Sequence, residues 1–130
     1  IRHVLVVEDE PLNSALMIAM LKIAGIDHVH ICESGHALFR TLDTMPRVDL
    51  ILLDLQLPGE DGFQVLQRIR HDVRFAAVPV LAVSAQVIVD TVKRAKACGF
   101  NGFIGKPLNF DRFPGQMRRA LAGEEVWESR

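Results

Sequence analysis

The sequence predicts a doubly wound α/β domain: a five-stranded parallel sheet with helices on both faces. Three observations carry this. Short apolar runs rich in β-branched residues alternate with longer segments whose apolar positions follow helical spacing. The runs lack polar alternation, as strands covered on both faces require. Five such strand–helix units follow one another through 130 residues, 49% of them hydrophobic, which suits one ordinary domain with a sizeable core.

The elements follow in order. Residues 4–7 read as a buried strand. Pro11 then opens a helix and Gly25 closes it, the usual asymmetry of helix ends. Residues 28–32 read as a strand and 34–44 as a helix with Ser34 as N-cap. Residues 50–53 form a second wholly apolar strand, and 62–71 a helix with Phe63, Leu66 and Ile69 on one face. Residues 80–83 follow Pro79 as a strand, and 87–98 form a helix stopped by Gly99. Phe103 and Ile104 mark the last strand, and 110–121 the last helix. The domain thus spans 1–122, with 123–130 as a charged tail or the start of a linker.

Composition narrows the function. Fifteen Lys and Arg against sixteen Asp and Glu leave a net charge of -1, without the basic field of a nucleic-acid binder or a membrane-surface protein. Cys32 and Cys98 lie in apolar stretches and read as reduced thiols. No apolar run reaches the roughly 20 residues of a membrane span. No signal peptide is visible, so a cytoplasmic location is expected. The chain opens on Ile1 and not on Met, which suggests a piece of a longer product.

Sites in open parallel sheets lie beyond the carboxyl ends of the strands. Glu8, Asp9, Asp54, Ser84 and Lys106 fall there. Three clustered carboxylates need a counter-ion, and Mg²⁺ prefers oxygen ligands while keeping waters that a phosphate can replace. Lys106 adds a fixed cation and Ser84 a neutral donor, a clamp for a transferring phosphoryl group. A carboxylate can itself be the nucleophile, giving an aspartyl phosphate. Taken singly, each residue has a plainer use. Glu8 and Asp9 suit a helix start, Asp54 a turn, Ser84 an N-cap and Lys106 a solvated surface. Their convergence in one topology carries the reading.

Four segments, in order, resemble the response-regulator receiver family: Val4-Leu-Val-Val-Glu-Asp-Glu-Pro11, Asp49-Leu-Ile-Leu-Leu-Asp-Leu-Gln-Leu-Pro-Gly-Glu-Asp-Gly62, Pro79-Val-Leu-Ala-Val-Ser-Ala85 and Gly102-Phe-Ile-Gly-Lys-Pro107. The resemblance implies a flavodoxin-like strand order 2-1-3-4-5. It implies Asp54 as phosphoacceptor and Asp9 as direct Mg²⁺ ligand (Mn²⁺ being an alternative ion). Glu8 is then a water-mediated ligand, and Gln56 lends a backbone carbonyl. Ser84 and Lys106 would bond the phosphoryl oxygens, with Pro107 after the lysine. Phe103 stands at the switch-aromatic position. Two positions depart from the commonest pattern: Ser84 is often Thr, and Phe103 is often Tyr.

The same resemblance implies a phosphorelay receiver that takes its phosphoryl group from a histidine kinase or a histidine phosphotransfer protein. It would act as a signalling module and catalyse only its own phosphorylation and dephosphorylation. It would be free-standing or the receiver of a hybrid kinase. A downstream protein target would read the helix after Ser84, the last strand and the last helix, with Val87 and Ile88 as contact residues. The chain would be a monomer or a phosphorylation-dependent dimer. On the first helix, a core face centred between Leu16 and Met20 leaves Ile18 outward, with Ala15 nearby, as a kinase-docking patch. Two enzymatic alternatives fit less well. A haloacid-dehalogenase-type phosphatase needs a second Asp where Gln56 stands. A P-loop fails because Phe100 replaces its first glycine and Pro107 its Ser or Thr. A non-phosphorylated interaction module on the same fold is the remaining alternative.

Overall fold

The computed structural model describes residues 2–128. It contains β1 (His3–Val7), α1 (Pro11–Ile23), β2 (His28–Cys32), α2 (Leu38–Thr44), β3 (Leu50–Asp54), α3 (Gly62–His71), β4 (Val80–Ser84), α4 (Val89–Cys98), β5 (Gly102–Gly105), α5 (Phe113–Leu121) and β6 (Val126–Glu128). All strands pair in parallel, in the order β2-β1-β3-β4-β5-β6. The order 2-1-3-4-5 is thus present, extended by one strand.

The apolar runs explain the layering. Every residue of β1, β3 and β4 is buried, so neither sheet face meets water there. Alternate residues serve opposite faces. Val4, Val6, Leu50, Leu52, Leu81 and Val83 pack with Met17, Met20 and Leu21 of α1 and Phe113, Met117 and Ala120 of α5. Leu5, Val7, Ile51, Leu53 and Ala82 pack with Leu38 and Leu42 of α2, Leu66 and Ile69 of α3 and Ala95 of α4. Two helices therefore cover one face and three the other.

Three helices begin later than the sequence suggests. Ser34 Oγ accepts from the Ala37 N–H at 3.1 Å and closes a turn, and α2 follows at Leu38. Asn109 Oδ1 takes the N–H groups of Asp111 and Arg112 at 2.9 and 3.1 Å, and α5 follows at Phe113. Val87 and Ile88 lie in the approach to α4, which starts at Val89.

The strand β6 lies within the segment read as a charged tail or linker. Val126 is fully buried, worth about 1.5–3 kcal/mol for a side chain of its size. Its N–H donates to the Asn101 carbonyl at 3.1 Å. A Cβ at Gly102 would collide with the Val126 carbonyl, so the close approach of β6 depends on a glycine in β5. Glu128 is held by Gln116 Nε2 at 2.8 Å and Arg119 Nη2 at 2.6 Å from α5.

Candidate functional site: an acidic cleft at the carboxyl ends of the strands

Parallel pairing brings the ends of β1, β3, β4 and β5 level with one another. Ladder bonds continue just past the strands: Glu8 N–H to the Cys32 carbonyl at 3.0 Å, Leu55 N–H to Val83 at 3.0 Å, and Lys106 N–H to Ser84 at 2.9 Å. The backbone therefore fixes where each functional side chain starts. Gly62 lets the first turn of α3 close over this edge, since a Cβ there would stand 3.0 Å from the Leu55 Cα.

Glu8 and Asp54 are 2% and 4% exposed, while Asp9 is open to solvent. One carboxylate oxygen from each lies within 4.8 Å of the others. Lys106 Nζ sits 2.9 Å from Glu8 Oε1 and 3.1 Å from Asp54 Oδ2. The Gln56 N–H donates to Asp54 Oδ1 at 2.8 Å, and the Glu10 N–H to Glu8 Oε2 at 3.1 Å. Burial opposes the Lys106 charge, but bonds to Glu8 and Asp54 outweigh it and hold the ammonium above the ordinary lysine range. Lys106 is thus a permanent cation in the working pH range.

Three carboxylates against one ammonium leave formal negative charge in the cleft. The donors are all hard oxygens, two of them shielded from water, so the residues suit a divalent cation of the magnesium type. Ser84 is 1% exposed, and its Oγ accepts from the Gln86 N–H at 3.0 Å. The Gln56 side chain spans the cleft, its Oε1 accepting from the Ala85 N–H at 3.2 Å.

The structure brings together Glu8, Asp9, Asp54, Gln56, Ser84 and Lys106, all expected at one edge. Phe103 is fully buried in β5, in the cluster that includes Leu53, Ala82 and Phe100. Val87 and Ile88 are 36% and 58% exposed. On α1 the outward apolar stripe is Leu12, Ala15, Leu16, Ala19 and Ile23, and Ile18 is half-buried on the flank. Met17, Met20 and Leu21 narrow the core face and rotate it, which moves Ile18 off the outward direction. The spacing i, i+4, i+11 of Leu12, Leu16 and Ile23 is present in the sequence but does not stand out in a helix that is apolar nearly all round. Leu16 also lines, with Met17, Ala85, Pro107 and Leu108, an apolar cleft that reaches Lys106.

Comparison with known proteins agrees with this geometry. The chain matches the response regulator receiver domain over residues 4–118 and belongs to that family, the receivers of two-component phosphorelay signalling. It is 38% identical over 121 residues to the sensor histidine kinase AruS of Pseudomonas aeruginosa and 30% identical over 123 residues to the histidine-protein kinase BarA of Escherichia coli. These matches cover 92% and 95% of the chain but 12% and 13% of the kinases, so the chain spans a small part of their length. The response regulator DivK of Brucella ovis is 30% identical over 86% of the chain and 89% of its own length. The magnesium-bound receiver domain of a Pseudomonas aeruginosa sensor histidine kinase superposes with TM-score 0.81 at 27% identity, over 93% of this chain and 98% of that one. The Mn²⁺-bound response regulator Rcp1 superposes with TM-score 0.76 at 31% identity, over 88% and 91%. No helix among the described residues is long and apolar enough to cross a membrane.

Proposed function

We propose that Asp54 accepts a phosphoryl group from a phosphohistidine donor, with Mg²⁺ or Mn²⁺ held by Glu8, Asp9, Asp54 and the Gln56 carbonyl. The observation that supports this most is the position of Lys106 Nζ, 2.9 and 3.1 Å from two buried carboxylates that a third, exposed one completes. Held by these residues, a divalent ion would supply charge stabilisation for the phosphoryl oxygens. An Asp54 oxygen forms the new O–P bond as the P–N bond to the donor imidazole breaks, and the departing nitrogen takes up a proton. Lys106 trades part of its contact with Asp54 for a phosphoryl oxygen, and Ser84 Oγ supplies a second donor. The chain in this reading is a signalling module whose only chemistry is its own phosphorylation and dephosphorylation.

The donor is a histidine kinase or a histidine phosphotransfer protein, and the exposed stripe on α1 beside the Lys106 cleft is where it docks. Movement of Ser84 and Lys106 toward the phosphoryl group alters the approach to α4, where Val87 and Ile88 meet a downstream protein. The domain extends at least to Glu128, because β6 belongs to the sheet.

Incubation with acetyl phosphate and Mg²⁺, followed by intact-mass measurement, tests the proposal. A metal-dependent phosphate adduct is expected on the wild type and none on Asp54→Asn. An adduct that survives the substitution would overturn it.

A further inference from the structure

We propose that His3, His28 and His30 form a binding site for a divalent transition-metal cation of the zinc class, at the opposite end of the sheet from Asp54. Three of the five histidines of the chain gather here, on two neighbouring strands. The register pairs His3 with His28 and Leu5 with His30, so His28 and His30 project from one face of β2, and His3 projects from the same face of β1. Two imidazoles two residues apart on a strand, with a third from the adjacent strand, can converge on one ion, as three histidines do at a zinc centre.

The distances fit. His3 Nδ1 and His30 Nε2 are 3.1 Å apart. Two nitrogens bound at about 2.0–2.1 Å to one tetrahedral zinc ion stand roughly 3.3 Å apart. Without metal the same contact is a hydrogen bond, one ring nitrogen donating and the other accepting. The His28 ring stacks on His3 with centroids 4.5 Å apart. His28 is exposed, so rotation about its side-chain torsions can swing a nitrogen toward the pair while His3, 9% exposed, stays fixed. Neutral imidazole is a ligand for zinc, copper and nickel and a poor one for magnesium, so the two ends of the sheet select different ions.

The surrounding charges permit a cation. Arg47 opposes positive charge at His3, but its guanidinium is clamped on Asp49 Oδ1 at 2.6 Å. Asp49 Oδ2 in turn accepts the His3 N–H at 2.8 Å and anchors the start of β1. The Asp49 carboxylate offsets Arg47 and fixes the backbone that carries His3, as groups behind metal ligands commonly do. From Asp54 the site is roughly 16 Å away, five residues along the sheet, so an ion here staples β1 to the edge strand β2 without entering the acidic cleft.

Zinc titrated calorimetrically into the full chain tests this independently of phosphorylation. Asp9→Asn serves as the background, because it weakens competition from the acidic cleft. One zinc is expected to remain bound in that background. His28→Asn and His30→Asn should each weaken it by at least about tenfold, the effect of disturbing even a group that only supports a ligand. Circular dichroism should show both variants folded, His28 being exposed and His30 half-buried. In the Asp9 wild-type background, His28→Asn should take phosphate from acetyl phosphate as the wild type does. Zinc binding unchanged by both histidine substitutions, or abolished by Asp9→Asn alone, would overturn the proposal.

Discussion

The strand β1 begins at His3 and ends beside Glu8, and its two ends are built by different rules. At the carboxyl end, Glu8, Asp54, Ser84 and Lys106 come from four strand ends, and opposite charges clamp one another. Lys106 is held charged there. At the amino end, His3, His28 and His30 come from within two strands, and like groups face one another. The charged form of His3 is disfavoured there. The first site needs only that strands end at the same level. The second needs strand parity, because a one-residue slip of β2 would turn both its histidines to the other face.

If the ends are independent, substitutions at each should move different measurements. The largest effect is expected from Lys106→Ala. It removes one preorganised cation from the proposed phosphoryl clamp, and the rate of adduct formation from acetyl phosphate should fall about a hundredfold. An unchanged rate would take Lys106 out of the chemistry. Arg70→Ala acts at the amino end. Arg70 bonds the Val78 carbonyl at 2.6 Å, the Gly99 carbonyl at 3.0 Å and Asn101 Oδ1 at 2.7 Å, tying α3 to the starts of β4 and β5. Its loss should cost about 1–3 kcal/mol in urea unfolding and leave acetyl-phosphate labelling intact. A parallel loss of labelling would show the two ends to be coupled.

Smaller effects sharpen the contrast. Leu12 is 79% exposed on α1. Leu12→Glu should slow transfer from a phosphohistidine protein while stability stays within about 0.5 kcal/mol. Labelling by acetyl phosphate, which needs no docking surface, should not change. The smallest effect concerns pH. Packing excludes water from His3, and His28, His30 and Arg47 further disfavour its charge, with Asp49 opposing; the imidazole is held below its ordinary value of about 6.5. The metal-free fold therefore prefers the neutral ring. Its contribution to stability is complete above that value and is lost as pH falls below it. Urea midpoints measured across this range should decline toward acid, and His3→Gln should flatten the decline.

Much of this was legible before the structure. The apolar runs at β1, β3 and β4 admit no other reading, and sites of open parallel sheets follow strand ends, so Glu8, Asp9, Asp54, Ser84 and Lys106 could be named together. What escaped detection had physical reasons. The first helix is apolar nearly all round, so periodicity could not choose between Ile18 and the stripe through Leu12, Leu16 and Ile23 until the core partners of Met17 and Met20 were known. The three histidines lie far apart in sequence, and only the β1–β2 register makes them neighbours. The strand β6 is three residues in a charged stretch, and what admits it is the missing side chain of Gly102.

That missing side chain also decides how the sheet meets other molecules. With β6 in place, the outer border on this side is a strand of three residues rather than the four of β5. Its last residue is charged and bonded inward to Gln116 and Arg119. Short strands ending in charge are poor templates for pairing with another chain. Gly102→Val should push β6 off and bare the border of β5. The single tryptophan, Trp127, would then lose its place beneath Lys96, and its emission should shift to longer wavelength as copies begin to associate edge to edge. A red shift together with association in Gly102→Val would make one glycine in the fifth strand the guard of the sheet's border; an unchanged monomer would remove that role.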